Sequence, residues 1–306
     1  MPVILDAGTG DAIGLDDLFE ILDDSDIDVR DQDAFATLGP ALARLGRNPH
    51  FLADLAIREL AGRCDAQTRD NGYGAQVFLL RAPDDRFVVR ANFWPSAQDP
   101  GFGASGSAAF FYGLAHDHNF PFLTYGYLGP GYWSDYYEVG PDLLDGRVGE
   151  DAGLRFIERS RLDPGKLMLY RARRDVHAQA PPDQFSVSLN ILGQDAEQPW
   201  TDQYCYDLEA GRIGGILTTT PGEALLALGT RFGGDDGIEL ATHFARRHPC
   251  ERMRVTAIDA LFRADRGRVA PVLERIADDA SRRVALAARD RLAIIESETD
   301  QPVGCR

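Results

Sequence analysis

Apolar residues near the start of the chain recur three and four positions apart. In LDDLFEILDD (15–24) this spacing gathers Leu15, Leu18, Phe19 and Leu22 on one face, with Asp16 and Asp17 early, where a helix N-terminus favours carboxylates. FLADLAIRELAGRC (51–64) repeats the period after Asn48 and Pro49, and Gly62 is placed to end it. Two or three helices are predicted between Leu15 and about Cys64. From about Gly74 to Leu217 the pattern shortens to strand-like runs. QVFLLRA, PDD and RFVVRANFW predict a hairpin; SAAFFYGLA, FLTYGYL, YWSDYYEVG, KLMLYRA, FSVSLNIL and QYCYDLE predict further strands, separated by Gly and Pro. Such spacing predicts an all-β centre, a sandwich or a small barrel. After TTTPGEALLALG the helical period returns. There RMRVTAIDALFRA (252–264) and SRRVALAARDRLAII (281–295) are similar to one another, and each follows another amphipathic helix.

Composition narrows the partners. The 306 residues are 44% hydrophobic, enough for a substantial core, and 48 acidic against 32 basic side chains give a net charge of −16. Nucleic acid and anionic membranes are repelled by such a surface, so neither is expected as a partner. RARR (171–174) leaves a local anion site open against that general sign. Cys64, Cys205, Cys250 and Cys305 are too scattered for a disulfide scaffold or a zinc ribbon, and reduced thiols predict the cytoplasm. The N-terminal residues lack a basic region, and no apolar run approaches the ~18 residues of a membrane helix, so neither export nor insertion is expected. GFGASGS (101–107) lacks the lysine of a phosphate loop and reads as a turn.

The chemistry concentrates in AHDHNFPFLTYGYLGPGYWSDYYEVG (115–140). In a strand, His116 and His118 share a face while Asp117 points to the other, so two imidazoles can reach one metal ion. The next histidine, His177, lies 59 residues beyond His118, between strand-like runs, and is the candidate third ligand. His50, His243 and His248 sit in helical surroundings and are expected to be bystanders. Folding FLTYGYL back on YWSDYYEV about the Gly-Pro-Gly turn would set Glu138 opposite Phe122. Glu138 would then be a ligand, a group orienting one of the histidines, or an outward residue, according to a register that a slip of one residue inverts.

The order of RFVVRANFW, GLAHDHNFPF, YLGPGYWSDYYEV, DVHAQ and SVSLNIL resembles the cupins, and within them the cysteine-dioxygenase-like, three-histidine thiol dioxygenases, over roughly residues 85 to 192. The resemblance implies a double-stranded β-helix barrel in which His116, His118 and His177 hold one Fe(II) facially, with dioxygen as cosubstrate. It implies that Arg90 grips a substrate carboxylate, a role suited to a planar guanidinium. Ser188 matches the first member of the family's Ser-His-Tyr relay, but Asn190 and Leu192 stand where the histidine and tyrosine belong. That departure puts oxidation of free cysteine in doubt. A replacement phenol could come from Tyr125, Tyr127, Tyr132, Tyr136 or Tyr137, and Tyr125 is carried forward with Glu138 as a catalytic candidate. The order H-D-H is not the H-x-D of 2-oxoglutarate oxygenases, so that cosubstrate is not expected.

The repeated Arg-Val helices resemble HEAT-type repeats, which implies protein contacts through the C-terminal helices. The expected fold is α+β, with N-terminal helices (1–73) packing on a cupin-like β barrel with the metal site (74–218), followed by a HEAT-like helical segment and tail (219–306). Two functions fit this reading. One is a non-haem iron oxygenase acting on a small thiol, an amino acid, or a peptide- or carrier-borne residue. The other is a non-enzymatic cupin-like binding or scaffold protein that holds a partner with its tail.

Overall fold

RFVVRANFW alternates as a strand buried on both faces must. Phe87, Val89 and Ala91 enter one apolar cluster, while Val88 and Trp94 enter another on the opposite side. The structure is a computed structural model describing residues 1–81, 84–141 and 144–299; Cys305 and the rest of the tail lie outside them, as does Pro83 of the hairpin turn.

The chain begins with β1 (Val3–Leu5), then α1 (Leu15–Asp24), α2 (Gln32–Ala36), α3 (Gly39–Gly46), α4 (Phe51–Ala61) and α5 (Asp65–Asp70). Next come β2 (Val77–Leu79), β3 (Phe87–Trp94), α6 (Pro100–Ser105), β4 (Phe122–Leu128), β5 (Trp133–Glu138), β6 (Arg155–Arg161) and β7 (Leu167–Tyr170). They are followed by β8 (Asp175–Ala180), β9 (Ser186–Gly193), β10 (Tyr204–Asp207) and β11 (Arg212–Ile216). The last helices are α7 (Pro221–Phe232), α8 (Gly234–Arg247), α9 (Glu251–Ala264), α10 (Arg266–Ile276) and α11 (Arg282–Thr299).

The fold is mixed α and β, with antiparallel sheets. One sheet runs β1-β7-β4-β9-β3-β2, a second β6-β5-β8, and β10 pairs with β11. The hairpin of QVFLLRA on RFVVRANFW forms as β2 on β3. The chain gathers into two compact units. The first comprises Met1–Asp142, Asp151–Gln198 and Gln203–Gly215; the second comprises Leu143–Glu150, Pro199–Asp202 and Ile216–Arg306.

In the first unit, α1 and α3 lay Leu18, Leu22, Leu42 and Leu45 on Val89, Leu123, Leu169 and Ile191 of the large sheet. The other face of that sheet joins Tyr132 and Tyr136 in a second cluster with Val88, Phe122, Met168 and Tyr170. In the second unit, α8 packs on α9 and α10 on α11, around Ala257, Ile258, Leu261, Leu273, Val284 and Ala288. No helix among the described residues is long and apolar enough to cross a membrane.

Three local expectations are corrected. SAAFFYGLA is not a strand: Ser107–Phe110 is a 3-10 turn between Gly106 and Gly113, both with positive φ, and Pro100 starts a short helix where GFGASGS was read as a turn. FLTYGYL does not fold back on YWSDYYEV. β4 is taken on both edges by β7 and β9, while β5 pairs with β6 and β8. Gly131, at φ 84°, comes so close to the Leu162 carbonyl that a Cβ there would collide with it, and the turn carries the chain from one sheet to the other. Finally, β1, β6 and β11 form from sequences with no clear apolar alternation; Arg155–Arg161 has no fully buried residue.

Candidate metal centre

Backbone hydrogen bonds on both edges hold the H-x-H segment extended, although it forms isolated bridges rather than a strand. His116 N–H donates to the His177 carbonyl and His177 N–H to the His116 carbonyl, each at 3.0 Å. On the other edge Asp117 N–H donates to Tyr204 O at 3.2 Å, and Tyr206 N–H to Ala115 O at 2.9 Å. The segment thereby joins β8 to β10. Directly opposed residues of an antiparallel pair place their side chains on one face, so the rings of His116 and His177 lie side by side with centres 4.6 Å apart. Two residues on, His118 shares that face, 4.9 Å from His116 and 5.2 Å from His177. Asp117 points away, accepting from Tyr204 N–H at 2.6 Å and Tyr206 O–H at 3.0 Å.

One ligand atom from each ring lies within 4.8 Å of the others, and this is the only group of three or more metal-ligating side chains among the described residues. Burial pushes the pKa of His116 down, with the Leu114 carbonyl pulling the other way. Burial and then the neighbouring His116, His177 and Arg90 hold His118 well below the usual range, and burial followed by His116 does the same to His177. The rings are neutral near pH 7, the form that binds a metal.

The donor set fits one ion. The Nδ1 of His116 lies 2.9 Å from the Leu114 carbonyl and must donate to it, leaving the Nε2 lone pair free for coordination. His118 Nδ1 is buried without a hydrogen-bond partner. The Nε2 atoms of His118 and His177 face each other at 3.1 Å, where one must donate to the other, and Gln179 Nε2 lies 3.2 Å from His177 Nδ1. Three neutral imidazoles with no carboxylate among them suit iron, zinc, copper or nickel.

Aromatic rings wall the centre. Phe122 lies 4.7 Å from His118 and stacks on Tyr170 at 4.1 Å, while Phe120 lies 5.0 Å from His118. Tyr170 stands 4.9 Å from His177, and its hydroxyl is 3.1 Å from that of Tyr136. Tyr132 hydrogen-bonds Tyr170 and Thr124. From there Asn190 Nδ2 donates to Thr124 Oγ1 at 2.8 Å, and Trp94 Nε1 donates to Ser188 Oγ at 2.9 Å. Burial raises the pKa of Tyr132, Tyr136 and Tyr170, so all three phenols keep their protons. Phe111, 54% exposed and at a left-handed φ of 57°, lies 6.3 Å from His116.

The other candidates divide. Arg90 points to the same side of β3 as Val88 and Trp94, and its charge is felt by His118. Its guanidinium lies over Tyr73 at 4.9 Å, its Nε is buried without a partner, and burial lowers its pKa. Ser188 is buried on the inner face of β9 and belongs to the Trp94–Asn190 network, not to the histidine group. Tyr125 is on the opposite face of β4 from Phe122 and Thr124. It packs against Gly46, where a Cβ would strike its ring, and belongs to the helix-covered core. Glu138 is held by Arg155, by Arg171 at 3.2 Å and by Arg174 at 2.5 Å, which together keep its carboxyl ionised, and it does not join the histidine group. The physical reason is the pairing: with β5 in the small sheet, Glu138 faces Arg155 and Asp175 rather than Phe122.

Sequence reasoning passed over Tyr170 and Gln179. Parity marks Gln179, two residues beyond His177 on the same face. Tyr170 ends an apolar run in which no position stands out.

No family model matches this sequence, and no curated protein matches it. Among solved structures, the chain is similar to the vicilin of Solanum melongena at 12% identity, over 39% of this chain and 26% of that one, with a TM-score of 0.23. It is similar to the DMSP lyase DddQ of Ruegeria pomeroyi DSS-3 at 12% identity, over 66% and 81% of the two chains, with a TM-score of 0.26. The vicilin of Corylus avellana gives 10% identity over 45% and 34%, with a TM-score of 0.22. The chain thus spans about a quarter of the first vicilin's length. These are distant similarities, and the function proposed below rests on this chain's own residues.

Proposed function

We propose that the first unit is a cupin-type barrel and a mononuclear non-haem iron oxygenase, with His116, His118 and His177 as the ligands. The observation that carries this reading is the convergence of three neutral imidazoles, His116 and His177 buried and His118 half-buried, from segments 59 residues apart, with ligand atoms within 4.8 Å of one another. When bound, ferrous iron would supply open coordination positions at which substrate and dioxygen meet. The residues around it do the rest. Arg90 offers its unpartnered Nε to a substrate anion. Phe120, Phe122 and Tyr170 keep water from the rings, and the protonated phenols of Tyr132, Tyr136 and Tyr170 fix the hydrogen-bond directions behind His177. The substrate is a thiol, an amino acid or a peptide- or carrier-borne residue, without 2-oxoglutarate. Free Cys64, Cys205 and Cys250 suit the cytoplasm.

A second reading has its own observation. On α7, Leu225, Leu228 and Phe232 are 65%, 56% and 77% exposed at helical spacing, as a HEAT-type scaffold that binds a protein partner would present them. Oxygen uptake by iron-loaded protein, screened with thiols, amino acids and peptides, tests the enzyme reading. Uptake that needs one of these substrates and is lost in Arg90→Met supports it. No uptake with any class favours the scaffold.

A further inference from the structure

The inner face of β3 carries two polar side chains that the surrounding network leaves out. Val88, Arg90, Asn92 and Trp94 alternate onto that face, where Asn92 stands directly opposite Ser188 of β9 and Arg90 directly opposite Asn190. Ser188, Asn190 and Thr124 of β4 hold one another: Ser188 Oγ accepts from Trp94 Nε1 at 2.9 Å and donates to Asn190 Oδ1 at 3.4 Å, and Asn190 Nδ2 donates to Thr124 Oγ1. Arg90 Nε and Asn92 Oδ1, in the same row, are buried with no hydrogen-bond partner among the described residues, and Asn92 as a whole is only 8% exposed.

Buried polar atoms are nearly always paired, so two orphans on one face point to a place kept for a ligand. They are of opposite sense. A guanidinium N–H donates and suits an anion, while an amide oxygen accepts and suits an N–H. Residues two apart on a strand are about 7 Å apart at Cα. A carboxylate with an N–H on the next carbon bridges that span through two hydrogen bonds of about 2.9 Å.

We propose that Asn92 is a substrate-binding residue that sets specificity: its Oδ1 accepts from an N–H beside the carboxylate held by Arg90. The site then takes an amino acid, free or at a peptide C-terminus, in preference to a thiol that carries a carboxylate alone. This rests on the anion-binding role given to Arg90 above.

The test titrates the full-length protein, without dioxygen so that nothing turns over, with cysteine, glycylcysteine and 3-mercaptopropionate, and reads the dissociation constants by calorimetry. The third probe keeps the thiol and the carboxylate and lacks the N–H. Wild-type protein is expected to bind at least one of the first two about 10- to 100-fold more tightly than the third, cysteine if the source is a free amino acid and glycylcysteine if it is a peptide end. Asn92→Leu is expected to abolish that preference and leave the affinity for 3-mercaptopropionate unchanged; Asn92→Asp keeps an acceptor and is expected to restore it. Arg90→Met is expected to weaken every probe that binds. No preference in the wild type, a preference that survives in Asn92→Leu, or an equal loss of all three probes in that variant, as a merely structural role would give, would overturn the inference. Failure of the wild type to bind any probe, or wild-type binding by Arg90→Met, would instead bring down the Arg90 reading, and this inference with it.

Discussion

Acidifying the metal-free protein should destabilise it through the histidines. His118 and His177 are pushed well below the usual imidazole range by burial, whereas in the unfolded chain they titrate near 6.5. As pH falls through that value the unfolded state takes up protons that the folded state refuses, and stability is lost. Each ring contributes about 1.4 kcal/mol per pH unit while it stays neutral in the fold, or about 2.7 kcal/mol for the pair.

Asp117 works in the opposite sense. Its carboxyl is raised to about 6 by burial, so from there down to its unfolded value near 4 the folded state binds the extra proton and gains about 1.4 kcal/mol per unit. Between about pH 6 and 5 the three groups leave a net loss of roughly 1.4 kcal/mol per unit, with His116 adding to it. Urea unfolding of the stripped protein across about pH 7.5 to 5 measures this against a His118→Asn/His177→Asn variant, so that all other groups cancel. The stability difference between the two proteins should shrink as pH falls, by about 2.7 kcal/mol per unit at most. A difference independent of pH would refute the assignment of rings kept neutral by the fold.

Two further substitutions probe the frame. Asp202 accepts from Arg252 Nε at 2.7 Å and from Arg283 at 2.6 Å, all three being buried in the helical unit. Asp202→Ala removes the carboxylate that both guanidiniums share, leaving Arg252 with Glu223 and the Pro199 carbonyl, and should cost about 3 kcal/mol in urea unfolding; a loss under about 1 kcal/mol would show that the remaining partners suffice. Gly131→Ala should cost about 2–4 kcal/mol because φ is 84° and the new Cβ meets the Leu162 carbonyl, whereas Gly149→Ala, at φ 87° with open space, should cost only about 1 kcal/mol. Equal losses at the two glycines would show that backbone strain, not the close approach, decides.

Where local pattern governs, the sequence was legible. The runs FLTYGYL and SVSLNIL become β4 and β9, and the one-residue spacing of His116 and His118 puts both rings on one side with Asp117 on the other. The positions of Glu138 and Tyr125 depend on something local pattern does not carry. Glu138 was set by which sheet β5 joins, a choice made by the close approach of Gly131 to Leu162 and by pairing with β6 and β8. Tyr125 was set by parity: Phe122 faces the histidines, so Tyr125, three residues on, must face α3.

The central claim is that three imidazoles share one ion, and metal analysis of the native protein with its single variants tests it most directly. The account predicts one tightly held metal per chain, lost in His116→Ala, His118→Ala and His177→Ala and kept in Glu138→Ala. Protein purified without metal that cannot be loaded, or full metal retained in His177→Ala, would contradict it.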